Sequence, residues 1–147
     1  KNRIKSIIIL NGHHGNVPII EAIESSLKIF QKSARGKKTL AAANMKLRSY
    51  SYWHFMKHEF DHAGFVETSI MLAISDKVKM KKAKKGLITN GLSEKEIQRI
   101  NKLSTQPGGF PKVTKNGVWG DPTKATKKDG EKFLAEIVRN LAKECQS

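Results

Sequence analysis

One cysteine, Cys145, stands among 147 residues. A disulfide framework is therefore excluded, and a reducing compartment such as the cytoplasm is expected, since no secretory signal opens the sequence. No apolar run approaches the ~20 residues needed to cross a bilayer, which argues against a membrane role. Acidic residues are scarce, 13 against 28 basic ones, for a formal charge of +15. Arginine is scarcer still: 23 of the 28 are lysine and 5 are arginine. Proteins that read bases or phosphates lean on the bidentate arginine fork. A lysine excess that is dense only at Lys77–Lys85 thus reads as solvated surface, and nucleic-acid binding by that run is the lesser alternative.

What is present suits a soluble α/β domain. Hydrophobic residues make up 38% of the chain, and a chain this long can bury roughly 68–70% of its unfolded surface. Ile4–Leu10 is short, isoleucine-rich and continuous, the pattern of a fully buried strand. Asn11–Asn16 forms a loop, with Asn16 placed to cap a helix over Val17–Ala34 whose stripe is Ile20, Ile23, Leu27 and Phe30. A second strand is expected around Lys46–Tyr52. Gly64 precedes a helix near Phe65–Ser75, and Ser93 with Glu96 forms a capping box before Ile97, Ile100 and Leu103. Gln106–Asp121 reads as a structured loop. Thr126, with Asp129 three residues on, starts a last helix with the stripe Phe133, Ile137, Val138 and Leu141. Alternating strands and helices point to parallel strands in an α/β layer.

Two segments carry residues suited to chemistry. The first, Asn11-Gly12-His13-His14-Gly15-Asn16, follows a strand and precedes a helix. Ligands of open α/β sheets bind at that place, and two glycines let backbone approach a ligand closely. A phosphate loop would need a lysine before the helix, and none is there. The second is His58-Glu59-Phe60-Asp61-His62-Ala63-Gly64. His58-Glu59-x-x-His62 fits the helical zinc-protease pattern, with His54 at the same spacing, but Gly64 follows too soon for a mid-helix motif. A carboxylate and an imidazole side by side at Asp61-His62 can divide proton acceptance and proton donation between them. The bland alternative makes Asp61 a cap for the following helix and His62 a packed ring. Glu67, early in that helix, is expected on or near the face turned toward the preceding loop; its bland alternative is stabilisation of the helix N-terminus.

At these residues the sequence resembles the creatininase family of metal-dependent amidohydrolases. Asn11–Asn16 is similar to the family's Asn-Gly-His-x-(Gly or Glu)-Asn loop. Asp61-His62-Ala63-Gly64-Phe65-Val66-Glu67-Thr68-Ser69 is similar to its (Glu or Asp)-His-Ala-Gly-x-x-Glu-Thr-Ser segment. Further similar blocks are Val78–Ala83, Gly117–Pro122 and the helix entry Lys124-Ala125-Thr126 with Gly130. The resemblance implies a three-layer α/β/α fold with a mainly parallel sheet, residues 1–147 forming a single domain. It implies a divalent metal, zinc foremost and manganese or iron in some members, a closed homo-oligomer, and hydrolysis of a C–N bond in a cyclic amide, formamide or related small substrate.

By position, the resemblance makes His13 a metal ligand and places His14 and His58 against substrate. It gives Asp61 the metal-bound water and His62 the proton for the departing nitrogen, in one shared pocket. Trp53 and Trp119 would add aromatic wall. The family's other principal ligands lie upstream of the Asn-Gly-His loop, so this sequence resembles the later part of a family chain. The further carboxylate of two-metal members has no counterpart at Gly15 or Phe65. The alternative reading is a catalytically inactive module that keeps the family fold.

Overall fold

A strand that is hydrophobic along its whole length needs neighbours on both sides, and this requirement is the point at which the structure departs most from expectation. The computed structural model describes residues 4–33, 45–59 and 61–146. They fall into two compact units, Lys1–Phe55 and Met56–Ser147.

In the first unit, strand β1 (Ser6–Asn11) leads through a short 3-10 turn (His14–Asn16) into helix α1 (Val17–Ser33), and strand β2 (Lys46–Ser51) follows. The two strands pair in parallel, from Ser6 opposite Lys46 to Asn11 opposite Ser51. Polar contacts hold α1 beside β2: the Ser49 hydroxyl donates to Glu24 Oε1 at 2.6 Å, and Gln31 Nε2 donates to the Met45 carbonyl at 2.6 Å. β1 was expected to be fully buried. Instead Ile7, Ile8 and Leu10 are 37%, 47% and 56% exposed. The physical reason is that β2 is the one strand paired with β1 among the described residues, whereas a parallel sheet normally buries both faces. The expected tail of α1 at Ala34 and the stretch Leu40–Asn44 lie outside the described residues.

In the second unit, α2 (Phe65–Ile74) packs on α5 (Lys127–Gln146). Val66, Phe133 and Ile137 are buried between them, each worth about 1.5–3 kcal/mol when fully removed from water. The Phe65 and Phe133 rings meet edge to face at 5.9 Å. Ser69, fully buried, accepts the Thr126 N–H on its hydroxyl at 3.3 Å. Helix α3 (Glu94–Ser104) starts with the expected capping box, in which the Glu96 carboxylate takes the Ser93 N–H at 2.9 Å. The segment read as loop contains a four-residue helical turn, α4 (Phe110–Val113). Thr126 caps α5 as expected, its hydroxyl oxygen accepting the Asp129 N–H at 3.0 Å. No helix among the described residues is long and apolar enough to cross a membrane.

The close approach of α2 and α5 depends on Gly130. A Cβ there would run into the carbonyl of Ser69, a rigid backbone atom. We expect Gly130→Ala to lower the unfolding free energy by about 1–3 kcal/mol, the usual cost of overpacking. The neighbouring exposed substitution Glu131→Ala should stay within about 0.5 kcal/mol of wild type. Urea unfolding followed by far-ultraviolet circular dichroism measures both; equal midpoints for the two variants would contradict the packing argument.

Candidate functional site

Asn11 organises the loop of the first unit. Its carboxamide is buried at the end of β1, 3% exposed, and donates to the Ser51 hydroxyl at 3.2 Å. Its oxygen accepts the His13 N–H at 3.0 Å and the Asn16 side-chain amide at 3.3 Å. Asn16, expected to cap α1, thus ends the 3-10 turn and ties it back to β1. His13 and His14 are both exposed. The His14 ring lies 5.7 Å from that of Trp53, tilted by 32°. A Cβ on Gly15 would come within 3.0 Å of His13 Nε2, so the glycine leaves room for that ring.

The second unit holds His58, Asp61 and His62. A helical histidine pair at 58 and 62 is not formed: a 3-10 turn covers Tyr52–Phe55, and bends rather than helix follow it. Gly64 and the compact turn behind it account for this. His58 packs against Phe133 at 5.0 Å and Phe65 at 6.2 Å.

Asp61 takes the capping role that its position before α2 allowed. Its Oδ2 accepts the Val66 N–H at 2.9 Å and its Oδ1 accepts the Glu67 N–H at 3.1 Å. These are two of the first-turn N–H groups that have no partner within the helix. Each carboxylate oxygen keeps a second lone pair. Burial pushes the Asp61 carboxyl above its ordinary value of 3.8; the bonds from Val66 and Glu67 oppose that shift, and the Glu67 charge adds to it. Gly64 is required beneath it, because a Cβ would strike Asp61 Oδ2.

His62 is pinned through its backbone. Its N–H donates to the Trp119 carbonyl at 3.0 Å, and the Trp119 N–H donates to the His62 carbonyl at 2.8 Å. The same stretch pairs on its other side with Leu87, whose N–H donates to Val118 and whose carbonyl accepts from Gly120. Phe110 packs edge-on to the imidazole at 4.8 Å. Glu67 Oε2 lies 3.8 Å from His62 Nδ1 and accepts the Ala63 N–H at 2.8 Å. Sequence reasoning turned Glu67 toward the preceding loop, as found, but did not foresee its approach to His62 Nδ1, and it missed the parts played here by Phe110 and the Trp119 backbone. Glu67 five residues beyond His62 matches no helical period, and the other two come from distant segments.

Among the described residues, no three His, Cys, Asp or Glu side chains converge in a way that could hold a metal ion. His13 is the expected ligand in this chain, and one imidazole falls short of the three or four donors a zinc site uses. By themselves, the described residues do not fit a metal site.

The Asn-Gly-His loop after β1 and the Asp61-His62 pair at the start of α2 are the segments whose resemblance points to the creatininase family. The sequence model of the creatinine amidohydrolase family matches residues 1–145, and the chain belongs to the creatininase family. It is 30% identical over 134 residues to a mycofactocin precursor peptide peptidase from Mycobacterium ulcerans (strain Agy99), covering 90% of this chain and 44% of that protein. A protein of the same description from Mycolicibacterium smegmatis (strain ATCC 700084 / mc(2)155) is 28% identical over 138 residues, 92% of this chain and 47% of the relative. Among solved structures, a creatinine amidohydrolase (creatininase) superposes with a TM-score of 0.64 at 21% identity, covering 96% of this chain and 55% of that one. A creatininase variant of the Zn-Zn type gives the same TM-score, identity and coverage. These likenesses bear out the creatininase-like α/β fold. The chain spans about half the length of the relatives it matches.

The raised Asp61 carboxyl has a consequence for stability. As pH rises past 3.8 the unfolded carboxyl ionises first, which favours the unfolded chain. The contribution of this group is therefore full below 3.8 and is lost as pH climbs through the raised folded value. Asp61→Asn removes that slope and one acceptor. The variant should be less stable than wild type by the widest margin in acid, with the gap narrowing as pH rises. Urea midpoints across the acidic range in which both fold measure this; a gap that widens with pH would refute it.

Proposed function

We propose that this chain supplies the proton-handling residues of a creatininase-family hydrolase that cleaves an amide-type C–N bond of a small substrate or peptide. The observation that carries the reading is the Asp61–His62 pair. It combines a carboxylate made more basic by burial with an imidazole whose backbone N–H and carbonyl both bond to Trp119. A half-buried carboxylate of raised pKa is suited to accept a proton from an attacking water, and an anchored imidazole to deliver one to a departing nitrogen. The peptidases among the relatives and the creatininases among the structures share that bond type, which supports the class without choosing between a peptide and a cyclic amide.

Family membership and the Zn-Zn creatininase support a divalent metal, zinc foremost, for the complete protein. His13 is the residue of this chain assigned to it. The remaining donors are not found among the described residues, so the role proposed for this chain is acid–base chemistry by Asp61 and His62, and the family resemblance assigns His14 and His58 to substrate contact. A closed homo-oligomer belongs to the same proposal, with no membrane or nucleic-acid partner. The lone cysteine supports a reducing, cytoplasmic setting.

The test uses the complete protein that contains this chain. His62→Gln should lower kcat/KM for the amide substrate by about 10²–10⁴-fold and leave metal content unchanged. His13→Ala should lower metal content, read by elemental analysis. Turnover by His62→Gln close to wild type would overturn the proton assignment. Unchanged metal in His13→Ala would remove the loop from the site.

A further inference from the structure

Ala63 is the one non-glycine residue with positive φ, 52°, among the described residues. A β-carbon in the left-handed region carries strain, and such strain persists where surrounding contacts impose it. Here the Ala63 N–H donates to Glu67 Oε2, and the Ala63 carbonyl accepts the Thr68 hydroxyl at 3.3 Å. The kink folds residue 62 back toward the first turn of α2. His62 Nδ1 and Glu67 Oε2 consequently lie 3.8 Å apart, both partly sheltered at 38% and 22% side-chain exposure.

That separation is within ion-pair reach and about 1 Å longer than a direct N–H···O bond. The proton on a neutral imidazole occupies one of two nitrogens, and a carboxylate beside one of them draws the proton there. With the backbone held by Trp119 and Phe110 set edge-on against the ring, the ring edge that does not face the carboxylate carries Nε2.

We propose that Glu67 is a positioning residue that keeps a proton on His62 Nδ1 and so fixes the tautomer in which Nε2 exchanges the reaction's proton. The catalytic half of this statement rests on the function proposed above; the tautomer half does not. Glu67 acts through His62, as carboxylates behind functional histidines do, while its bond to Ala63 maintains the kink.

The experiment is nitrogen NMR on the 15N-labelled 147-residue chain at mildly alkaline pH, where imidazoles are neutral. Long-range 1H–15N correlations report the tautomer of each ring, and His62 is assigned by its absence in His62→Gln. The expected result is a predominantly Nδ1–H ring in wild type and a shift of the majority to Nε2–H in Glu67→Gln. That variant keeps an acceptor for the Ala63 N–H and should retain amide dispersion. An Nε2–H ring in wild type overturns the proposal whether or not the variant folds, and so does an unchanged tautomer in a folded Glu67→Gln. In the complete protein, Glu67→Gln should lower kcat about 10–100-fold with KM within about twofold. A raised KM at unchanged kcat overturns the positioning role. If His62→Gln were active while the tautomer still depended on Glu67, the hydrolase reading would fall and the Glu67–His62 coupling would stand.

Discussion

The carboxylate of Asp61, set against the open N-terminus of α2, is the contact on which the second unit's local architecture depends. Two backbone donors that no helical turn can satisfy are satisfied by one side chain. The geometry brings Asp61 so close to residue 64 that only glycine fits there. It turns the chain through Ala63 at positive φ and brings His62 against the first turn of the same helix. The positive end of the helix favours the anion, while burial and the nearby Glu67 charge oppose it. Opposition prevails, and the carboxyl ends up above its ordinary range.

Seen in that light, the Glu-Thr-Ser run at the start of α2 has a task for each member. Glu67 faces His62 and receives the Ala63 N–H, Thr68 holds the Ala63 carbonyl, and Ser69 accepts from Thr126 at the head of α5. The run links the kink, the imidazole and the packing of two helices within three residues. A change at any of them reaches the site by a different route: through charge, through backbone strain, or through the seating of α5.

Much of this was legible in the residues. Local chemistry announced itself where it acts over three or four positions, as in the boxes at Ser93 with Glu96 and at Thr126 with Asp129. Helices α1 and α5 form where the periodicity placed them, but of the expected stripes Ile23, Phe30 and Val138 are exposed, because neither helix is covered along its whole apolar face among the described residues. The family block around Asp61, His62, Gly64 and Glu67 coincides with residues that one turn constrains together. The burial of β1 was misjudged, since an isoleucine run tells what a strand requires and not what its surroundings supply. The backbone ladder through Trp119 was invisible for a different reason. Main-chain pairing between distant segments leaves no mark on side-chain identity.

The bare isoleucine strand also bears on how this polypeptide behaves at high concentration. Edge groups without a strand partner among the described residues, flanked by exposed aliphatic side chains, form a template for sheet growth between molecules. Fifteen units of net positive charge oppose such encounters. Electrostatic repulsion is thus the colloidal safeguard of a surface that hydrophobicity would otherwise drive together. Because the screening length contracts from about 10 Å at 0.1 M salt to about 3 Å at 1 M, added salt weakens that repulsion.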